Sequence, residues 1–166
     1  MIALINGVLI QKTTNHAVIE ANGVGYRVFV PLTTFYELPE KGQKVALNIY
    51  THVKDDAIHL FGFYNSEERD LFQLMISVSG IGPKLAINIL SGISGHELVS
   101  ALSKGDARRL MAIPGIGKKV AERMILELKE KACRLTAFEP AVKMENEPET
   151  GDGIRDDALS ALINLG

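Results

Sequence analysis

Two short runs of this 166-residue chain set glycines and lysines at the same spacing. Ser79-Gly80-Ile81-Gly82-Pro83-Lys84-Leu85-Ala86 returns 35 residues later as Pro114-Gly115-Ile116-Gly117-Lys118-Lys119-Val120-Ala121. The shared pattern is Gly-Ile-Gly-x-Lys, then an apolar residue and Ala. The chemistry it suits is the holding of a phosphate. Two glycines one residue apart let the backbone take positive φ and approach a ligand with no Cβ in the way, while the Ile between them anchors the loop. A helix that begins at once points unpaired N–H groups and the positive end of its dipole out of the loop. Pro83 suits a first helical turn, where its missing N–H costs nothing. Lys84, and Lys118 with Lys119, bring mobile positive charge to the same oxygens. None of these groups reaches a base edge, so a nucleic acid held this way would be bound without regard to sequence and released by salt. One Gly-Ile-Gly between helices also reads as a plain C-cap and turn. The second copy, with lysine in the matching place, is what favours a ligand.

The elements that position these loops follow from periodicity. Each copy is preceded by an apolar helical run (Leu71 to Val78; Ala107 to Ile113) and followed by another (Lys84 to Leu90; Lys118 to Lys131), so the unit is helix, tight hairpin, helix. Two units are too few for a solenoid. Ser66 is read as the hydroxyl cap that opens the helical region, whose first stripe, Leu71, Phe72, Leu74, Met75 and Val78, stops at Gly80. Upstream, LINGVLI, HAVIEANGVGYRVFVPL broken at Asn22-Gly23, KVALNIYTHV and AIHLFGFY are short β-branched or aromatic runs bounded by turn residues. Five such strands fit a small OB-like barrel, with a β-sandwich as the competing arrangement. The expected fold is therefore α+β and multi-domain: residues 1–63 an OB-like β-barrel, 64–135 an all-α domain holding both hairpins, 136–152 a flexible acidic linker with two prolines, and 153–166 a short helical piece. That last helix cannot bury its apolar face alone, so it either docks or begins a domain this chain does not complete.

Composition bounds the function. The net charge of −2 divides unevenly: residues 64–135 carry eleven Lys/Arg against eight Asp/Glu, and 136–166 carry two against seven. A basic segment with an acidic tail suits a nucleic-acid binder, and solvated helix faces would give the same count. The N-terminus lacks signal-peptide features and no apolar run is long enough for a membrane span, so a cytoplasmic protein with no membrane partner is expected. Cys133 alone allows no internal disulfide and no Cys-rich zinc site.

The repeat is similar to the tandem helix-hairpin-helix motif, and PGIGKKVAERMILELK behind a barrel containing GVGYRVFVPLTTFYELPEKG closely resembles the RuvA family, which recognises Holliday junctions in the bacterial branch-migration complex. The resemblance covers about residues 1–135, and 153–166 more weakly. It implies sequence-independent binding of four-way junction DNA in recombination, DNA repair and the SOS response to DNA damage. It further implies a homotetramer that holds the junction open and square, with four or eight subunits enclosing the DNA left open. Its implied partners are the RuvB ATPase motor and the RuvC resolvase. Carried over by position, the DNA-binding residues are Gly80, Ile81, Gly82, Lys84, Gly115, Ile116, Gly117, Lys118 and Lys119. Arg123, one turn beyond Lys119, joins them, with a surface ion pair as its other reading. The family's acidic pin falls on Asp55 and Asp56, where repulsion would keep DNA backbones from crowding the crossover; without the family, two aspartates in a turn are turn chemistry. The family's third, motor-contacting domain is represented only by what resembles its first helix, so no motor-contact residue is assigned.

No catalytic site, metal or cofactor is expected. His52 and His59 flank the aspartates, but alternation along the strands could separate the rings, and histidines near a hairpin are commonplace. Gly117-Lys118 lacks the rest of a P-loop. A base-flipping glycosylase of the hairpin class would need an Asp soon after the hairpin, and none occurs between Asp106 and Asp152. A nuclease would need a carboxylate cluster. The alternatives that stay open are a general duplex-binding architectural protein and a non-catalytic DNA-binding subunit of a repair nuclease.

Overall fold

The structure, a computed structural model, describes residues 1–136, with side chains described through Ala132. Apart from Thr136, which closes the last helix, the linker and C-terminal helix expected over 136–152 and 153–166 lie outside the described residues. The strand runs become β1 (Leu4–Lys12), β2 (His16–Ala21), β3 (Val24–Phe29), β4 (Lys44–Val53) and β5 (Ile58–Phe63). They close into a barrel in the order β1-β2-β3-β5-β4, antiparallel except for the β3–β5 pair, which decides between barrel and sandwich. Asn22 and Gly23 both have positive φ, 52° and 84°, the pairing that a tight hairpin matched to strand twist requires.

The run that ends in Val30-Pro31-Leu32 is expected to stay extended to its end; Pro31 does and Leu32 does not. β3 ends at Phe29, and a six-residue helix, α1 (Leu32–Glu37), follows Pro31. Proline fixes the entry dihedral, and the Phe35 N–H donates to the Pro31 carbonyl at 2.9 Å. A helix this short shows no periodicity in sequence. It nevertheless links the two halves of the molecule. Thr33 and Thr34 both donate to the Glu68 carboxylate, Thr34 at 2.7 Å, and the buried Thr34 hydroxyl accepts from the Tyr64 N–H at 3.2 Å.

The helical part contains α2 (Ser66–Ile76), α3 (Pro83–Gly92), α4 (Gly95–Lys104), α5 (Ala107–Met111) and α6 (Lys118–Thr136). Its first cap is Asn65 rather than Ser66. Asn65 is the extended residue and its side chain accepts from the Glu68 N–H at 2.8 Å, so Ser66 is already inside the helix. α4 opens on a Ser94–Glu97 capping box, and the Ser94 N–H, then its hydroxyl, hold the Glu97 carboxyl below the ordinary carboxylate value, with Arg109 adding to the effect.

Alternation along β4 and β5 sends one set of side chains inward and one outward. Leu47, Ile49 and Leu60 fill the barrel with Leu9, Ile19 and Val28. On the opposite face Tyr50, Phe61 and Phe63 surround Phe72 of α2, with ring centroids 5.3, 5.2 and 5.0 Å away. Fully burying a side chain of this size contributes roughly 1.5–3 kcal/mol, so this aromatic cluster fixes the barrel against the helices.

Candidate nucleic-acid interface

The two hairpins share a set of matched backbone bonds. In the first, Val78 donates to Met75, Ile81 to Val78 at 3.0 Å and Ala86 to Gly82 at 3.0 Å; in the second, Ile113 donates to Leu110, Ile116 to Ile113 at 3.1 Å and Ala121 to Gly117 at 3.0 Å. Each pair of bonds is offset by the sequence repeat. The buried positions repeat in the same way: Met75 with Leu110, Val78 with Ile113, Ile81 with Ile116, Ala86 with Ala121, and Ile89 with Met124. Val78 and Ile113 lie just past the ends of α2 and α5, in the loosened turn, rather than inside the helices as their periodicity implied. Both remain buried, because the turn keeps them over the same core.

Within each loop the two glycines differ. Gly80 and Gly115 take φ of +93° and +92°, where an L side chain is strained. Gly82 has φ −87°, Gly117 is not in the left-handed region, and a Cβ on either would meet nothing within 4 Å. The expectation that both glycines supply positive φ therefore holds only for the first of each pair. Among the described residues the second has no conformational or packing reason to be glycine. It stands where an outside group can come close.

Apart from the six-residue α1, which opens on Pro31 without a side-chain cap, helix starts divide the same way. α2, α4 and α5 carry side-chain caps from Asn65, Ser94 and Asp106. α3 opens on Gly82 with no side-chain cap, and Gly117, before α6, has no side chain to offer. Among the described residues the N–H groups of Lys84, Lys118 and Lys119 have no acceptor. These exposed donors, with the dipole behind them, suit an anion. The Lys84 and Lys119 ammonium groups make no salt bridge among the described residues, and Lys118 pairs with Glu122 at 3.9 Å in an exposed contact worth little.

Arg123 makes the surface ion pair that was its other reading and also reaches the first hairpin. Its guanidinium donates to the Ser79 carbonyl at 3.0 Å and lies 3.9 Å from Glu127, so it braces α6 against the first hairpin. The second hairpin is braced in turn, since Leu85 lies 3.0 Å from where a Cβ on Gly115 would be.

Asp55 and Asp56 form the exposed two-residue tip of the β4–β5 hairpin, which Lys54 and Ala57 close by mutual backbone bonds of 2.9 and 3.4 Å. Neither carboxylate is in a salt bridge among the described residues. From this closure the strand register runs Val53↔Ile58 and His52↔His59, so the imidazoles lie on one face rather than being separated. No third His, Cys, Asp or Glu joins them in a metal-binding group among the described residues. They line a cleft of about 290 Å³ with Lys54 and Phe61 on one side and Gly82, Pro83 and Lys84 on the other. The barrel hairpin and the first helical hairpin thus share a boundary that sequence reasoning missed. A two-residue tip at Asp55-Asp56 would have given the register, but the partner surface comes from α3.

Among the described residues no single helix is long and apolar enough to cross a membrane. The family described as RuvA N terminal domain matches residues 1–62, and that described as SAM-like Helix-hairpin-helix tandem matches residues 72–130. The chain is 52% identical over 166 residues to the Holliday junction branch migration complex subunit RuvA of Geotalea daltonii, all of this chain and 83% of that protein. Proteins of the same name from Syntrophotalea carbinolica and Geobacter sulfurreducens are 51% and 52% identical over the same extents.

Proposed function

The chain belongs to the RuvA family, and on that premise we propose that it binds four-way DNA junctions by their backbones, as a non-catalytic subunit of a branch-migration machine serving recombination and repair. The observation that carries the reading is the pair of matched hairpins, each presenting bare helix-start N–H groups, a glycine free of internal constraint and an exposed lysine. Gly80, Ile81, Gly82 and Lys84 hold one phosphate stretch; Gly115, Ile116, Gly117, Lys118 and Lys119 hold the next. Arg123 acts by fixing the distance between them. Two such grips on one backbone match a duplex arm and read no base.

Asp55 and Asp56 are the acidic pin. Four subunits around the crossover would bring eight carboxylates to its centre, where repulsion between them and phosphates keeps the strands apart. The power for migration comes from a RuvB-type ATPase, and a RuvC-type resolvase cleaves the product. Affinity for a four-way junction and for a duplex of equal length, measured at one salt concentration, tests the reading. A clear junction preference is expected. Equal affinities would replace it with a general duplex-binding role.

A further inference from the structure

The cleft between β4–β5 and the start of α3 meets the backbone grip only along its Gly82 and Lys84 edge. Its walls are the His52 and His59 rings, opposed across the two strands, with Phe61 and Pro83; Lys54 and Lys84 flank it. Phosphate chemistry alone does not call for such walls. Aromatic rings, histidine included, are surfaces on which unpaired bases stack. The volume, about 290 Å³, is several times the ~30 Å³ share of one water and leaves room for a planar heterocycle.

Position matters as much as lining. Lys54 directly precedes the Asp55-Asp56 tip, and Gly82 to Lys84 begin the first phosphate grip. A strand running from that grip to the Asp55-Asp56 tip would cross the mouth of the cleft. Bases at a crossover are exchanging partners, and a base already unpaired costs least to take out of the stack. We infer that the cleft receives the base of one unpaired nucleotide beside the crossover, stacked on the His52 and His59 rings, with Lys54 and Lys84 on its flanking phosphates. The inference rests on the junction-binding reading above.

The test places 2-aminopurine beside the crossover of a four-way junction and titrates the full chain. Wild type, a His52→Ala/His59→Ala pair, a His52→Phe/His59→Phe pair and Lys54→Ala are compared, each first checked for unchanged thermal melting. The wild type should change the fluorescence about twofold or more. The alanine pair should abolish that change and weaken binding about fivefold or more, the lower end of the loss of one base–aromatic stack. The phenylalanine pair should restore it, and Lys54→Ala should reduce it. The same probe deep in an arm should report no difference among the four. An identical fluorescence change in all four proteins, with junction preference intact, overturns the cleft inference alone. Loss of junction preference in the wild type overturns the junction reading beneath it.

Discussion

The Arg123 guanidinium donates to the carbonyl of Ser79 at 3.0 Å, so the helix that leaves the second hairpin is tied to the loop of the first. With Leu85 packed under Gly115, this sets the two hairpins at a fixed separation. A family pattern alone puts Arg123 on the DNA. We propose that it acts as a spacer between the hairpins.

Arg123→Ala is therefore expected to lower junction affinity severalfold while leaving its salt dependence unchanged, and to cost about 1 kcal/mol of stability, the value of a charge-assisted hydrogen bond discounted for exposure. Binding isotherms at several salt concentrations, with a denaturant melt, check this. A salt slope reduced by about one counterion would return Arg123 to the phosphates.

Lys119 is unpaired among the described residues and stands at a bare helix start. Lys119→Ala should flatten the plot of log affinity against log salt by about 0.9, the release of one counterion, with equal loss for every junction sequence. An unchanged slope would take this side chain off the backbone.

The two glycines of each hairpin should part company on substitution. Gly82→Ala and Gly117→Ala should leave stability within about 0.5 kcal/mol, because each new methyl meets open space at ordinary φ, yet lower junction affinity tenfold or more by standing where the phosphate rests. Gly80→Ala should instead destabilise the fold by roughly 1–2 kcal/mol through its left-handed φ. Thermal melts beside binding curves separate the two classes.

Reversing the tip, Asp55→Lys with Asp56→Lys, should tighten junction binding and slow strand exchange, since attraction replaces repulsion where backbones cross. Gel-shift affinity and a branch-migration assay with the motor give the two readouts. Weaker binding would contradict the repulsion argument.

Much of this was legible in the residues. Five strand runs bounded by turn residues led to the barrel, and the second Gly-Ile-Gly-x-Lys led to the paired hairpins, because both patterns are local and periodic. What was not legible depends on contacts between distant segments. α1 is too short to show a period and is held by Glu68 from another element. The cap fell on Asn65 instead of Ser66 because either side chain can cap, and only backbone dihedrals choose between them. Arg123 was placed by its spacing along one helix, whereas its partner, Ser79, comes from the other hairpin. Alternation along the strands allows the histidines to be separated, and only the pairing set by the Asp55-Asp56 tip puts them opposite each other.

A structure of the chain on a four-way junction locates the contact outright. Phosphate oxygens are expected within about 2.7–3.2 Å of the Lys84 and Lys119 backbone nitrogens, with Gly82 and Gly117 against the sugar-phosphate chain. Loops at Ile81 and Ile116 turned away from the DNA, with another surface making the contact, would contradict it.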